Sequence, residues 1–400
     1  MIENKAYTGM RVVDLTQGIA GPHCTMLLAQ HGADVIKIEP MEGDWGRTLG
    51  DLRGDHCGHS VNFNRGKRSL VVNLKHPDGI AIVRKLSADA CVFAESFRPG
   101  VMDRLGLGYE ALKAINQKIV YFSVSGFGQE GPYSKRPTVD TLIQAFSGMM
   151  VMNRTPDGVP HRQGMIAVDV LTGLYGFQAV SAALMRQLRF NVGLRIDNSM
   201  MLATAAFQGA KLMEHAISEG NPPPLYVPAG MFRTADGYIV ISSMRKHHFT
   251  KLFEIIKRPD IPADPRMATH ESRIRNAAVI NKALTEAFPA KTTEEWLKLL
   301  IDGGVFAERV NTYQEYLDHP HVKAVNAVDW IEQDGVGTVP VARIPGLPRP
   351  AEDLPAQHAP HVGEHSRAIL GELGYGAGDI DRLIADGAVA AGPQAAQAAE

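Results

Sequence analysis

The first 200 residues alternate short runs of β-branched and aromatic residues with longer stretches whose apolar residues have helical spacing. This alternation is typical of parallel βαβ units, in which helices cover both faces of one sheet. Strands are predicted at residues 10–16, 33–39, 69–74, 90–96, 118–124 and 193–200. Helices are predicted between them at residues 22–31, 77–87, 101–115 and 169–189. We therefore predict an α/β fold built on a parallel sheet.

The pattern changes after about residue 200, and three consecutive prolines occupy residues 222–224. A hairpin is predicted around Asp236-Gly237, because this dipeptide favours a tight turn. Further helices are predicted at residues 247–257, 273–288 and 293–302, and the last of these opens with threonines and acids that suit a capped helix. A second, smaller domain therefore begins in this region.

Charge and cysteine content exclude several classes of protein. The chain has 41 Lys+Arg against 43 Asp+Glu, a net charge of −2, so it lacks the basic surface that nucleic-acid binding requires. Its 45% of hydrophobic residues suffices for a substantial core. The three cysteines include no CxxC pair, which argues against a disulfide framework and a thiolate zinc site.

We expect a soluble cytoplasmic protein. No apolar run follows a basic segment near residue 1, so no secretory signal is predicted. The longest apolar stretch, residues 171–185, is interrupted by Gln178 and Ser181. It is shorter than the ~20 residues that a membrane-spanning helix needs. Neither a membrane nor a nucleic acid is therefore an expected partner.

Two short patterns are considered and set aside. Gly126, Gly128 and Gly131 match G-x-G-x-x-G after a predicted strand, but Pro132 delays the following helix, which a dinucleotide site requires at once. His56, Cys57 and His59 cluster in one loop, yet no second group of ligands in the sequence completes a metal site. We predict no nicotinamide site and no metal.

Asp169 is the acid with the most unusual context, since it lies where a long, mostly apolar helix is predicted to begin. An aspartate at this place is commonly an N-cap that accepts hydrogen bonds from the first turn. The same location holds a carboxylate ionised next to a buried helix, where it can act as a nucleophile. Both interpretations remain open from the sequence.

Other polar residues are candidates for ligand contacts. Gln17 follows the first strand, at the edge of the sheet where open α/β folds bind ligands, although it could also cap the next helix. Lys75, Arg104 and the basic run 65–68 offer charged hydrogen bonds to phosphate. Such basic residues are otherwise most often solvated.

Several sequence blocks, in order, carry a resemblance to a known family. They cover residues 9–345 and read GMRVVDLTQGIAGP, DVIKIEP, NRGKRSLVVNLK, ESFRPGVMDRLGLGYEAL, VYFSVSGFGQEGPYSKRPTVDTLIQAFSG, AVDVLTG, TADGYIVIS and DPRMATHESRIRN. On these blocks the chain resembles the class III CoA-transferases, the family of formyl-CoA and carnitine CoA-transferases. Their joint occurrence is far more specific than any one block.

The resemblance implies a function and a set of site residues. Asp169 falls on the family's nucleophilic aspartate, and Gln17 falls on a residue that faces the reacting carboxyl group. The CoA-binding residues so predicted are Lys75, Phe97, Arg104, Gly126 and Gly128. The substrates implied are an acyl-CoA and a carboxylic acid, for which we predict a small dicarboxylate, with no permanently bound cofactor.

The resemblance also implies an architecture. It predicts a Rossmann-like large domain, a smaller α+β domain and a homodimer of interlocked chains. The predicted boundaries are a CoA-binding large domain at 1–200, a linker at 201–225, a small domain at 226–325, a return segment at 326–385 and a flexible tail at 386–400.

Some residues depart from the family pattern. Ser96 stands where the family commonly has Asn, and no glycine run lies between His215 and Gly237 to shield an intermediate. The relative that racemises 2-methylacyl-CoA esters has a histidine before the aspartate of the glycine-loop block, whereas Val139 precedes Asp140 here. This favours CoA transfer over a racemase-like enzyme. A non-catalytic CoA-binding protein stays open as a second alternative.

Overall fold

The computed structural model describes residues 5–155, 157–347 and 358–392. The chain divides into two compact units. The large unit comprises residues 1–209 and 327–400, and the small unit comprises residues 210–326. The predicted linker at 201–225 is largely helical, because two helices occupy residues 200–207 and 209–217.

The strands follow one another along the chain as predicted in the first half and continue beyond it. They are β1 (Arg11–Leu15), β2 (Asp34–Glu39), β3 (Leu52–Arg53), β4 (His56–Cys57), β5 (Arg68–Val72), β6 (Val92–Glu95), β7 (Val120–Ser125), β8 (Leu194–Ser199), β9 (Ala229–Arg233), β10 (Tyr238–Ser242), β11 (Phe306–Arg309), β12 (Val328–Gln333), β13 (Gly337–Ala342) and β14 (Val389–Ala390).

The helices range from single turns to one of 24 residues. They are α1 (Ala20–Gln30), α2 (Gly58–Asn64), α3 (Pro77–Ala88), α4 (Val101–Arg104), α5 (Tyr109–Lys113), α6 (Asp140–Phe146), α7 (Met149–Met152), α8 (Ala167–Phe190), α9 (Met200–Phe207), α10 (Gly209–Ile217), α11 (Lys246–Ile255), α12 (Asp260–Ala263), α13 (His270–Arg275), α14 (Ala277–Ala287), α15 (Thr293–Asp302), α16 (Tyr313–Asp318), α17 (Pro320–Ala324), α18 (Ser366–Glu372) and α19 (Ala377–Ala385). Short 3-10 helices occupy Trp45–Thr48, Pro265–Met267 and Phe288–Ala290.

The large unit is built on a seven-stranded sheet with the order β14-β5-β2-β1-β6-β7-β8. All neighbours pair in parallel except β14, which pairs antiparallel with β5. The predicted α/β class with a mostly parallel sheet is confirmed. The chain builds outward from β1 through β2 to β5 and then crosses back to β6. Ligands of such sheets bind beyond the carboxyl ends of the strands at this switch point.

Apolar residues on both faces of the sheet explain why its strands read as continuous hydrophobic runs. On β1, Val13 faces a core cluster covered by α3, α18 and α19, whereas Val12 faces a cluster that includes residues of α1 and α8. On β6, Phe93 belongs to the first of these clusters and Val92 to the second. Side chains that alternate along each strand therefore fill two cores.

Two predicted elements of the large unit differ in the structure. The helix predicted at 101–115 is interrupted, because Gly106 adopts a left-handed φ of +69° between α4 and α5. The predicted flexible tail contributes β14, in which Val389 is buried against β5. The remainder of that tail, residues 393–400, lies outside the described residues.

Helix α8 is longer than the apolar stretch noted at 171–185. Among the described residues it is the one helix whose length and composition would allow it to cross a membrane. One face of α8 is part of the core, where Val180, Ala183 and Leu184 are buried with residues of the sheet and α1. Asp169, near the N-terminus of this helix, lies at the edge of the unit where β1 and β6 end.

The small unit contains an antiparallel sheet of order β11-β10-β9. Ile239 and Ile241 of β10 pack against Phe249 and Leu252 of α11 in a single core cluster. The predicted hairpin is confirmed as β9 and β10. Helix α15 begins at the predicted residue, and its N-cap Thr292 forms a capping box.

Candidate active site

A pocket lies at the carboxyl edge of the large unit's sheet, at the predicted switch point. It is formed where β1, β6 and β7 end and where α8 begins. Its lining includes Gln17, Trp45, Ser96, Phe97, Gly126, Thr138 and Asp169. The structure therefore brings together four residues that the sequence singled out: Gln17, Phe97, Gly126 and Asp169.

Asp169 is not the N-cap of α8. The N-cap is Ile166, whose side chain makes no capping bond, and Asp169 is the third residue of the helix. The carboxylate of Asp140 instead accepts hydrogen bonds from the first turn, at 2.7 Å from the Val168 nitrogen and 3.2 Å from the Asp169 nitrogen. Asp169 therefore does not cap the helix, and its half-buried carboxyl group lines the pocket.

Asp140 is itself held in place by a chain of hydrogen bonds. The Gln144 amide donates to the second carboxylate oxygen of Asp140 over 2.6 Å, and the Gln144 oxygen accepts from the Gln163 nitrogen over 2.9 Å. We did not predict Asp140 as a site residue. The one signal in the sequence was an acid next to Thr138 and Val139 at the start of a helix, 29 positions from Asp169.

The electrostatic environment of Asp169 disfavours its charged form. Burial first, and then the nearby carboxylate of Asp140, raise the pKa of Asp169 to about 7. In the described part of the chain no salt bridge to Asp169 offsets these effects. A carboxylate without a counter-ion loses little when it becomes acylated, because acylation removes its charge.

Gln17 is fixed through its backbone on both sides. Its N–H donates to the Ser96 hydroxyl over 2.9 Å, and the following Gly18 N–H donates to Asp44 over 2.9 Å. Gly18 has a φ of +77°, and a Cβ at this position would overlap the ring of Trp45. The loop therefore has one conformation, which leaves the Gln17 side chain in the pocket. Ser96, which stands where the family commonly has Asn, thus holds the backbone of Gln17 in place.

Beneath this loop lies a network of buried ion pairs. Lys37 donates to the carboxylate of Asp44 over 2.7 Å and to the Thr16 carbonyl over 3.0 Å. Lys67 lies 3.0 Å from Asp14, and both side chains are inaccessible to solvent. Burial lowers the pKa of Lys67 to about 8. The network supports the backbone from which Gln17 projects.

The basic run at 65–68 was wrongly interpreted as a set of phosphate contacts. Lys67 is buried and bonded to Asp14, and Arg65 is only 4% exposed. Arg68 forms ion pairs with Asp34 and Glu372. The run serves packing within the large unit, since all three cations are buried or paired.

The other predicted CoA-binding residues are distributed along the same edge of the sheet. Phe97 lines the pocket, and its N–H donates to Glu95 over 2.8 Å. Burial raises the pKa of Glu95 to about 7. Lys75 follows β5 and Arg104 ends α4, and both are exposed outside the pocket lining.

The glycine-rich turn after β7 contributes one of its two predicted CoA-binding glycines to the pocket. Gly126 lines the pocket, but Gly128 does not. The Gly128 N–H donates to Ser125 over 3.0 Å, and the Gln129 N–H donates to Asp197 over 2.8 Å. Both N–H groups therefore already have a side-chain acceptor within the protein.

One group of candidate metal ligands occurs among the described residues, apart from the pocket. It joins His56 and Asp55 to His361, which the sequence analysis did not connect with them. The Asp55 carboxylate and the His361 Nδ1 lie 2.6 Å apart, at hydrogen-bond distance. Burial opposes the charged form of His361, but Asp55 and Asp334 outweigh it and raise its pKa. The contact therefore links residue 361 to the loop between β3 and β4 within the large unit.

Fold and site together define an α/β protein with a large, mostly parallel sheet, whose pocket presents an uncompensated aspartate at a helix N-terminus. The sequence comparison identifies the class more closely. A family model described as CoA-transferase family III matches residues 7–366, and the chain belongs to this family. Relatives of this chain are named CoA-transferases, which are enzymes of the EC 2.8.3 type, so the predicted class of enzyme is confirmed.

Individual relatives agree with this assignment. Succinyl-CoA:glutarate CoA-transferase of Mus musculus is 32% identical, over 96% of this chain and 90% of the relative. Acetyl-CoA:oxalate CoA-transferase of Acetobacter aceti is 35% identical, over 92% of this chain and 95% of the relative. The crystal structure of a CAIB/BAIF family protein from Brucella suis has a TM-score of 0.82 at 33% identity, covering 93% of this chain and 100% of that one.

Proposed function

We propose that this enzyme transfers CoA from an acyl-CoA donor to a small dicarboxylic acid, with Asp169 as the nucleophile. The observation that carries the proposal is the environment of Asp169. Its carboxyl group lines the pocket at the switch point, has a pKa raised to about 7 and makes no capping bond. A carboxylate held in this way is a stronger base and nucleophile than a solvated aspartate.

The first half of the reaction loads CoA onto the enzyme. A carboxylate oxygen of Asp169 attacks the thioester carbonyl carbon, the carbon–sulfur bond breaks, and CoA thiolate leaves a mixed anhydride. The thiolate then attacks the aspartyl carbonyl of that anhydride. The donor acid departs as a carboxylate, and Asp169 becomes an aspartyl-CoA thioester.

The second half repeats these steps in reverse with the acceptor. Its carboxylate attacks the aspartyl thioester, which gives a second anhydride and CoA thiolate. The thiolate attacks the acyl carbonyl of the acceptor, the new acyl-CoA leaves, and the Asp169 carboxylate is restored. One thioester replaces another, so the cycle needs no energy input.

Neighbouring residues bind and polarise the reactants in this proposal. The Gln17 amide donates to the oxyanion that forms at each addition, an interaction worth roughly 3 kcal/mol where measured. Phe97 packs against the thiol end of CoA in the pocket. Lys75 and Arg104, exposed at the same edge of the sheet, bind its phosphates.

A dicarboxylate acceptor is supported by the names of the relatives. The mouse relative is named for glutarate, and the Acetobacter aceti relative for oxalate. A screen of succinyl-CoA and acetyl-CoA against a panel of mono- and dicarboxylic acids, read by mass spectrometry, tests this. Transfer to dicarboxylates at a kcat/KM well above that for monocarboxylates is the expected result, and the reverse order would contradict it.

The function is tested by Asp169→Ala, with the exposed Asp89→Ala as its matched control. We expect Asp169→Ala to lower kcat by more than about a thousandfold, because no other group replaces a covalent nucleophile. Asp89→Ala should retain activity. Hydroxylamine added with the acyl-CoA donor should convert Asp169 to a hydroxamate, located by peptide mass spectrometry. Modification at another residue, or full activity of Asp169→Ala, would overturn the proposal.

We also propose the interlocked homodimer that the resemblance implies. Large apolar side chains of the large unit face outward on α8 and α9. Leu188, Phe190 and Phe207 are each about three-fifths exposed, which is typical of surfaces that another chain covers. Light scattering should give twice the mass of one chain. A monomer at micromolar concentration would refute the dimer.

A further inference from the structure

The small unit contains two buried polar groups that lack hydrogen-bond partners. Among the described residues four such side-chain atoms occur, and two of them are the Ser243 hydroxyl and the His248 Nδ1. They lie within six residues of each other, between the end of β10 and the first turn of α11. Buried polar atoms are rarely left unpaired, so these two atoms call for a partner from outside the chain.

Ser243 lies beneath the start of α11. Side chains alternate along β10, and Ile239 and Ile241 face the core that α11 covers. Ser243 continues this alternation by two positions and is 2% exposed. Its hydroxyl is therefore on the helix-covered face of the sheet, below the first turn of α11.

His248 lies above the same end of the sheet. It is the third residue of α11, and its ring packs 4.8 Å from that of Phe306, which pairs with Ser242 across the strands. The second ring contact of His248 is with His247, at 4.2 Å. His248 and Ser243 thus approach the N-terminus of α11 from two elements that meet there.

The N-terminus of α11 is uncapped. Its N-cap residue is Arg245, whose side chain makes no capping bond, and no acid occupies the first turn. A helix of ten residues carries partial positive charge at this end, and its first N–H groups point outward. Every group that converges here is therefore able to donate a hydrogen bond.

The surrounding charge is positive. Arg245, Lys246 and His247 are exposed, and no acid occurs in the sequence from 237 to 253. Neither Arg245 nor Lys246 forms a salt bridge within the part of the chain that the structure describes. Two unpaired cations beside a helix N-terminus suit a ligand with two negative charges better than one with a single charge.

We propose that the first turn of α11, together with Ser243 and His248, binds a phosphoryl dianion. The hydroxyl and the imidazole Nδ1–H donate from the buried side, the helix N–H groups donate along its axis, and Arg245 and Lys246 neutralise the charge. This site belongs to the small unit and does not depend on the chemistry of Asp169. Free phosphate and the phosphate of a nucleotide share this chemistry.

The first experiment measures binding to the full-length protein by calorimetry. Inorganic phosphate and adenosine 3′,5′-bisphosphate are titrated into the wild type and into the double variant Arg245→Ala/Lys246→Ala. We expect saturable binding that weakens at least about tenfold in the double variant. The control Lys251→Ala, on the same helix but paired with Glu254, should bind as the wild type does.

The two ligands also identify the source of the phosphate. Because Lys75 and Arg104 also bind phosphates in the proposed function, only binding that the variant Arg245→Ala/Lys246→Ala loses is assigned to this site. Within that binding, equal affinity for both ligands supports a site for free phosphate, and tighter binding of the bisphosphate supports a nucleotide site. Absence of saturable phosphate binding, or equal loss in the double variant and Lys251→Ala, would overturn the proposal. Preference for glutarate over phosphate would also overturn it.

Ser243→Ala separates a binding role from a structural one. Because the hydroxyl has no partner in the protein, its removal should leave the Tm unchanged or raise it slightly. Phosphate affinity should fall several-fold, because one donor to the ligand is lost. A lowered Tm with unchanged affinity would mean that the hydroxyl is structural, and the proposal would fail.

Discussion

Two aspartates of the large unit lie near the same edge of the sheet in opposite surroundings. Asp14 on β1 is fully buried and accepts hydrogen bonds from Lys67, Thr16 and Thr25 at 3.0, 2.5 and 2.6 Å. Burial alone would raise its pKa, but Lys67 and Lys37 outweigh burial and hold it below the usual value. Asp169 has no such cation, and its neighbour Asp140 is another acid.

The difference shows that the large unit contains two kinds of aspartate. Asp14 has compensating cations and stabilises the fold, whereas Asp169 lacks them and lines the pocket. Where a charge is structural, as in Asp14, every ion is paired and hydrogen-bonded, because an unpaired buried charge is costly. Asp169, which we propose as the nucleophile, lacks this compensation, and its raised pKa suits that proposed role. The network of paired ions lies directly below the loop that carries Gln17. The pocket is therefore supported by residues whose charges are compensated.

Asp14→Asn should produce the largest effect on stability. It leaves Lys67 buried without its anion, which lowers the free energy of unfolding by about 3–5 kcal/mol at pH 7. Urea denaturation measures this, with the exposed Asp51→Asn as control. Because the folded pKa of Asp14 is lowered, its contribution is present above the unfolded pKa and is lost as the pH falls through the folded value. Equal stability of the two variants would refute the paired network.

Asp44→Ala tests whether the paired network positions the reactive site. Two backbone donors, Gly18 N–H and Gly46 N–H, lose their acceptor, and Lys37 loses its partner. We expect a loss of about 3 kcal/mol in stability, at the lower end of the range for a broken buried ion pair, because Lys37 keeps the Thr16 carbonyl as an acceptor. We also expect about a tenfold lower kcat in the folded enzyme, because Gln17 is no longer held.

The emission of Trp45, which packs on Gly18, should change in Asp44→Ala. Asp51→Ala serves as the control for fluorescence and activity. If the variant is destabilised but its kcat equals that of the wild type, the network supports the fold and does not position Gln17.

Asp169→Asn should raise the stability of the folded protein, whereas Asp14→Asn should lower it. The folded pKa of Asp169, about 7, exceeds its unfolded value, so the unfolded chain ionises first as the pH rises and wild-type stability falls between about pH 4 and 7. The variant lacks this penalty and should melt a few degrees higher at pH 8. At pH 4 the two Tm values should converge. A lower Tm for the variant at pH 8 would show that Asp169 is compensated after all.

Asp140→Asn is expected to give the smallest change, a shift in pH dependence. Asparagine can still accept the N–H bonds of Val168 and Asp169, but it removes the negative charge that helps to raise the pKa of Asp169. The acid limb of the kcat/KM profile should therefore move to lower pH. Gln144→Met, which leaves the charge of Asp140 in place, is the control, and the same shift in both variants would exclude an electrostatic cause.

Local patterns in the sequence predicted much of the large unit. The strands from β1 to β8 that form the parallel sheet lie within about two residues of their predicted bounds, because runs of buried apolar residues mark them directly. Asp169 and Gln17 were recognised because one opens a long apolar helix and the other follows a strand, and both line the pocket. Helix α15 was recognised from its capping residues.

Partners that are distant in the sequence were decided by tertiary structure. Asp140 caps a helix that begins 27 residues after it, Lys67 is buried against Asp14, and His361 pairs with Asp55 across 306 positions. The resemblance predicted a reactive role for Asp169, but only packing decided that an acid, Asp140, and not a cation stands beside it. Sequence patterns report local backbone geometry and the average burial of each residue. The pairing of charged side chains depends on the free energy of the whole folded structure. No single segment of the chain contains that information.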